Sequence, residues 1–162
     1  MVLREIAKRI NYLNVLHRIR IQRAAMKHEM HLGQPPVLEF IAAHDRCTQR
    51  EAAEWLQVSQ PSIAVSVKRM QRTGLLIKES DENDLRITRL SSTEEGRKSM
   101  EGCREECDQV DARMFAGFTE SELESLWGYL DRLIDNMAFG DLRGKSFFAL
   151  METERKMKEE RL

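Results

Sequence analysis

The chain has 162 residues, 41% hydrophobic and 33% charged, with only eight glycines and three prolines; this suits one core in a largely helical chain and excludes a low-complexity one. The net charge of −1 excludes a globally basic nucleic-acid binder, yet residues 1–45 carry seven Lys/Arg against four Asp/Glu, residues 46–91 eight against six, and residues 92–162 eleven against seventeen, so a contact with a polyanion belongs in the first two thirds. The longest apolar run, Phe147 to Met151, cannot span a bilayer, the N-terminus lacks the apolar segment of a signal peptide, and three cysteines make no disulfide framework, so the expected setting is cytoplasmic, with no membrane partner.

Leu3, Ile6, Ile10, Leu13 and Leu16 recur at spacings of three and four, which predicts an amphipathic helix from about Leu3 to Met30. Gly33-Gln34-Pro35-Pro36 ends it. Val37 to Ala43 reads as a short apolar helix, and Asp45-Arg46-Cys47 as a turn. Thr48-Gln49-Arg50-Glu51 has the form of a capping box, predicting a helix from Gln49 to about Leu56. After a turn at Gln57-Val58, Ser59 or Gln60 caps a second helix with Pro61 in its first turn. That helix runs to Thr73, and Gly74 stops it.

Leu75-Leu76-Ile77 reads as a short strand, Ser80 to Asp84 as a polar turn, and the alternating Arg86 to Leu90 as a second strand, together a β-hairpin. Ser92-Thr93-Glu94-Glu95 offers another capping box, with a charged helix from Thr93 to about Phe115. Thr119 to Glu122 offers a third. Leu123, Leu126, Trp127, Leu130, Leu133, Ile134 and Met137 then form a strong apolar stripe. Gly140 to Gly144 is a break, and Phe147 to Met157 a last helix with a charged tail.

Short helix, turn, second helix, glycine and hairpin, in that order, make a helix-turn-helix with a wing. At ~100° per residue, Ile63, Val67 and Met70 share one face of the second helix. Pro61, Val65, Lys68, Arg69 and Arg72 lie roughly opposite, with Ser62 at the edge. A helix in the major groove needs this division: N-terminal side chains (Ser59, Gln60, Pro61, Ser62) near base edges, later cations on phosphates. Thr48, Gln49 and Arg50 open the first helix beside it. The bland alternative is that any surface helix segregates charge; the ordered set of elements around it argues for DNA.

Thr48-Gln49-Arg50-Glu51-Ala52-Ala53-Glu54-Trp55-Leu56, Ser59-Gln60-Pro61-Ser62, Lys68 to Leu76, Asp84-Leu85-Arg86 and Ser92-Thr93-Glu94-Glu95-Gly96 together resemble the MarR (multiple antibiotic resistance regulator) family. The resemblance implies a mainly α fold with a small β-hairpin wing: a winged helix-turn-helix (33–91) between an N-terminal dimerisation helix (1–32) and C-terminal dimerisation helices with a tail (92–162). It implies a homodimer on a pseudo-palindromic operator in double-stranded DNA, read as a repressor. It also implies that Arg86 is the wing arginine in the minor groove and that Asp84 orients it by an ion pair. Asn83 departs from the family, which often has a further basic residue there, and Asp81 and Glu82 are expected to repel phosphate.

Many members of the family bind small aromatic acids between the dimer helices and the DNA-binding lobe; Tyr12, His17 and Trp55 are the candidates here to line such a cleft. Cys103 and Cys107 share a helix face at i, i+4 and leave open a redox pair or half a metal site, the ordinary reading being two helix positions. Cys47 is a lone thiol in a turn. His28 and His31, with Glu29 or His44, leave open a zinc site, but no metal and no cofactor is expected. No phosphate-binding loop, nucleophile elbow or HExxH appears, so no enzyme is expected. A winged-helix protein-interaction module, motivated by the acidic wing turn and acidic C-terminal third, stays open beside the DNA-binding reading.

Overall fold

The computed structural model describes residues 2–31 and 33–159; what the sequence suggested for Met1, Leu32 and residues 160–162 lies outside the described residues. Helix α1 (Val2–Lys27) stops three residues short of its predicted end. Glu29 adopts a left-handed φ of 59°, and the Met30 N–H donates to the Ala25 carbonyl at 3.0 Å. This turns the fully buried Met30 back into the core. Helix α2 (Gln34–Ala43) begins three residues before the prediction. Pro35 and Pro36 start it rather than end its predecessor, since first-turn amides have no helical acceptor to lose.

Helix α3 (Gln49–Leu56) carries the expected capping box. The Glu51 N–H donates to Thr48 Oγ1 at 3.2 Å, and the Thr48 N–H to Glu51 Oε2 at 2.6 Å. Gln57 closes it with a left-handed φ of 56°. Helix α4 (Gln60–Arg72) is capped by Ser59 and stopped by Gly74 at φ +75°, a conformation that costs glycine least.

Strands β1 (Leu76–Ser80) and β2 (Thr88–Ser92) pair antiparallel, with Leu76 opposite Ser92 and Ser80 opposite Thr88. The ladder thus runs further from the core on β1 than predicted, and Arg86 lies in the turn rather than in β2. Asp81 explains the shift. Its carboxylate accepts the N–H groups of Asn83 at 3.0 Å and Asp84 at 3.2 Å, and so begins the turn. Cys47 is more than a turn residue: its carbonyl accepts the Leu90 N–H at 2.7 Å, adding a bridge to the hairpin edge.

Helix α5 (Glu94–Met114) has Thr93 as its cap, but the capping box expected around Ser92 to Glu95 does not form, because Gly96 occupies the third helical position. Thr93 instead accepts the Gly96 N–H at 2.9 Å and donates its hydroxyl to the Gly74 carbonyl at 2.7 Å. Gly96 is fixed by contact, since a Cβ there would run into the Leu75 carbonyl. Helix α6 (Glu120–Met137) has the expected Thr119–Glu122 box. A 3-10 turn (Gly140–Leu142) leads to α7 (Phe147–Glu159).

One apolar core joins α2, α3, α4 and the hairpin. Leu38, Ile41, Ala52, Leu56, Ile63, Val67, Met70, Leu76 and Leu90 fill it, with Met30 from the first segment and Cys103 of α5. Each large side chain contributes roughly 1.5–3 kcal/mol by leaving water. Outside it, α1 packs along α5, pinned by Lys27–Glu106 at 2.6 Å and His17–Asp111 at 2.8 Å. The stripe on α6 buries nothing: Trp127 is 72% exposed and Ile134 61%. Leu3, Ile6, Ile10, Leu13 and Leu16 on α1 are likewise exposed. This architecture is a winged helix-turn-helix with outer helices that leave apolar faces open.

Candidate nucleic-acid interface

Helix α4 divides as the periodicity suggests. Ile63, Val67 and Met70 are buried, which turns Gln60, Pro61, Val65, Lys68, Arg69 and Arg72 outward. Among the described residues, Lys68, Arg69 and Arg72 have no carboxylate within ion-pair distance. An unpaired surface cation keeps its charge available for a phosphate. At the start of α3, Thr48 is committed to the capping box and Arg50 to Glu54 at 2.7 Å.

The wing differs from expectation in its charge pairing. Asp84 does not ion-pair with Arg86; its carboxylate accepts the Arg86 backbone N–H at 3.0 Å, which fixes the turn and leaves the exposed guanidinium without a carboxylate partner among the described residues. The ion pair of the wing is Arg89–Asp81, at 2.6 Å and largely buried. The side-chain hydrogen bond from Arg89, then those from the Asn83 and Asp84 backbones, hold the Asp81 carboxyl below its ordinary value. Asp81, 8% exposed, is therefore neutralised inside the wing rather than repelling phosphate from its surface. Arg46–Glu79 at 3.2 Å ties the same strand to the turn before α3.

The N-terminus of α4 is occupied by α7. The Ser59 N–H donates to Glu152 Oε2 at 2.7 Å, and the Ser62 hydroxyl to Glu152 Oε1 at 3.4 Å. Arg155 Nη2 donates to Ser62 Oγ at 3.3 Å. Glu152 is a buried carboxylate, with Lys156 at 3.4 Å. Burial raises its pKa, but hydrogen bonds from Ser59 and the Lys156 charge outweigh burial and hold it below the ordinary carboxylate value. Two contacts fasten the start of α7: the Ser146 N–H donates to Gln57 Oε1 at 3.1 Å, and its hydroxyl to the Leu56 carbonyl at 3.3 Å. Phe148 packs on the core. None of this was visible in the sequence, because the partners lie some ninety residues apart and no local pattern marks them.

Between α7, α4 and α2 lies a cleft of about 520 Å³ with apolar walls that include Val37, Ile63, Phe148 and Met151, and with Arg18, Arg155, Glu152 and Glu154 among its polar positions. Tyr12, His17 and Trp55 do not line it. Trp55 lies over Phe40, ring centroids 5.3 Å apart, in a second, shallow cleft with His44 and Arg89. His17 is held to Asp111 and Tyr12 is exposed, so these two clefts do not bring the three together.

The thiols are poorly suited to sensing. Burial, then Glu51, pushes Cys47 up to about 11. Burial, then the neighbouring Cys107, pushes Cys103 up to about 12, and burial raises Cys107 too. Thiols that stay protonated are weak nucleophiles. Among the described residues no three His, Cys, Asp or Glu side chains gather as metal ligands. No helix among them is long and apolar enough to cross a membrane.

Comparison with known proteins agrees with this geometry. The model of a family described as MarR family matches residues 28–87. The HTH-type transcriptional regulator YybA of Bacillus subtilis is 29% identical over 105 residues, 65% of this chain and 70% of that protein. The solved structure of YusO from Bacillus subtilis superposes with a TM-score of 0.71 at 20% identity, covering 83% of this chain and 95% of that one. The MepR–DNA complex of S. aureus superposes with a TM-score of 0.64 at 18% identity, covering 80% of this chain and 96% of that one.

Proposed function

We propose that the chain is a member of the MarR family, whose model matches residues 28–87, and that it is a transcriptional regulator that binds double-stranded DNA as a homodimer. The observation that carries this is the outer face of α4. Lys68, Arg69 and Arg72 stand there unpaired among the described residues, beside an equally unpaired Arg86 on the wing. Gln60, Pro61 and Val65 are placed for base edges, and the three cations for phosphates. Arg86 extends from a turn fixed by Asp84, at the position from which a wing enters the minor groove. The similar fold of MepR in its complex with DNA supports DNA binding by this fold.

The homodimer is supported by the open apolar faces of α1 and α6. Patches of this extent on a single chain mark an association surface. Two-fold pairing would set two α4 helices roughly 34 Å apart, one turn of DNA. The regulator acts as a repressor, relieved by a small apolar acid in the cleft beside α4. Arg18 would meet its carboxylate there, in place of the lining by Tyr12, His17 and Trp55 suggested by the sequence. A ligand favouring a dimer with misplaced α4 helices lowers DNA affinity by the same coupling energy.

The test is titration against the intergenic DNA upstream of its own gene, with an unrelated duplex as competitor, at low and physiological salt. Competitor-resistant binding of one dimer per site, weakened by Arg69→Ala and by Arg86→Ala, is the expected result. Equal, weak binding to both duplexes would overturn the regulator.

A further inference from the structure

We infer that α7 is an autoinhibitory strap: its Glu152 carboxylate holds the donors at the N-terminus of α4 that a DNA phosphate would otherwise use, so DNA binding requires α7 to leave. This rests on the reading of α4 as the DNA-reading helix.

The donors have the chemistry of an anion seat. A helix start presents backbone N–H groups without helical acceptors, together with the positive end of the helix dipole. Here the Ser59 N–H and the Ser62 hydroxyl converge on the two oxygens of one carboxylate. A carboxylate and a phosphate oxygen pair compete for such donors on equal geometric terms. Glu152 is also one of few buried polar side chains in a chain whose other carboxylates are mostly exposed, so its placement is specific.

The rest of α7 is built to hold that carboxylate in place. Ser146 anchors the helix start to the turn between α3 and α4 by two hydrogen bonds. It also caps α7 itself, accepting the Ala149 N–H at 3.2 Å. Phe148 keys into the core edge. Lys156 and Arg155 flank Glu152 at 3.4 and 3.9 Å, balancing its charge while it is docked. The attachment is nevertheless partial. The cleft of about 520 Å³ under α7 shows that the helix meets α4 along one edge, and Phe147 and Met157 remain exposed.

The experiment measures binding of the full-length protein to a mixed-sequence duplex of about 30 base pairs, long enough for two half-sites, by fluorescence anisotropy. Glu152→Gln weakens the seat and Glu152→Asp shortens the reach while keeping the charge; both are expected to tighten binding, Glu152→Gln by about tenfold. Arg69→Ala is expected to weaken it in either background. Hydrogen exchange supplies the second readout: α7 amides should lose protection when the duplex binds to the wild-type protein. Tightening by Glu152→Gln without Glu152→Asp would reduce the effect to bulk charge and overturn the strap. Unchanged or weaker binding by both, or α7 amides protected in the complex, would overturn it while sensitivity to Arg69→Ala leaves DNA binding standing. If Arg69→Ala has no effect and no variant binds, the DNA reading itself fails and the strap with it.

Discussion

The lobe from α2 to β2 and the pair formed by α1 and α6 are built from similar amounts of apolar side chain and put to opposite use. In the lobe, Leu38, Ile41, Ile63, Val67, Met70 and Leu90 are shut away from water by neighbours in the same chain. On α6 the stripe from Leu123 to Met137 has no buried member, and α1 buries only Ala24 and Ala25. A hydrophobic period therefore shows which face of a helix is apolar, but not whether its cover comes from the same chain. The apolar face of the lobe is covered within the chain, with Met30 and Cys103 added from either side of it; the outer helices leave theirs open.

The sharpest way to break this comparison is to charge the open face. Leu130→Asp combined with Ile134→Asp should raise the dimer dissociation constant by on the order of a thousandfold or more, since each buried unpaired carboxylate costs several kcal/mol. Sedimentation equilibrium checks this, while circular dichroism should still report a folded lobe. A dimer that survives would mean that α6 is not the interface.

Truncation sharpens the same contrast. Met70→Ala, in the closed core, should lower unfolding free energy in urea by about 2–4 kcal/mol. Trp127→Ala, on the open face, should change it by less than about 0.5 kcal/mol when measured on the monomeric double-aspartate background. Equal effects would show that α6 is packed within its own chain.

On the outward side of the lobe, Arg86→Ala should cost about 1–3 kcal/mol of binding to the upstream duplex and leave unfolding midpoints unchanged, because the guanidinium makes no ion pair among the described residues. A matching loss of stability would place Arg86 in the fold rather than at DNA.

The smallest effect concerns Asp81. Its folded pKa lies below the ordinary 3.8, so its stabilisation is complete above that value and drains away as pH falls through the lower folded one. Melting temperatures of wild type and Asp81→Asn should therefore differ at neutral pH and converge as the pH falls below 3.8. A constant gap would show that hydrogen-bond geometry, not ionisation, holds the wing turn.

Local chemistry was the readable part of the sequence. Thr48 with Glu51 and Thr119 with Glu122 start helices where the capping pattern placed them, because a cap acts within four residues. The buried face of α4 followed from a spacing that one helix carries by itself. Where a distant partner sets the outcome, the same reasoning misplaced things. The strands of the wing were set too early because Asp81 was taken as a solvated turn acid rather than the partner of Arg89. The Asp84–Arg86 ion pair was expected from the family resemblance, whereas the carboxylate accepts the Arg86 backbone N–H. Trp55 was gathered with Tyr12 and His17 on residue type, although α1 and α3 put them on separate surfaces.

By itself the sequence determined the helix boundaries set by caps, the apolar and basic faces of α4, and the order of elements that makes a winged helix-turn-helix. All of these rest on interactions spanning one or two turns of chain. Only the tertiary structure decided that Glu152 sits on the Ser59 N–H, that Asp81 is neutralised by Arg89, and that α1 and α6 remain open. Those outcomes depend on which surfaces meet across the fold, and no periodicity within a segment encodes its partner.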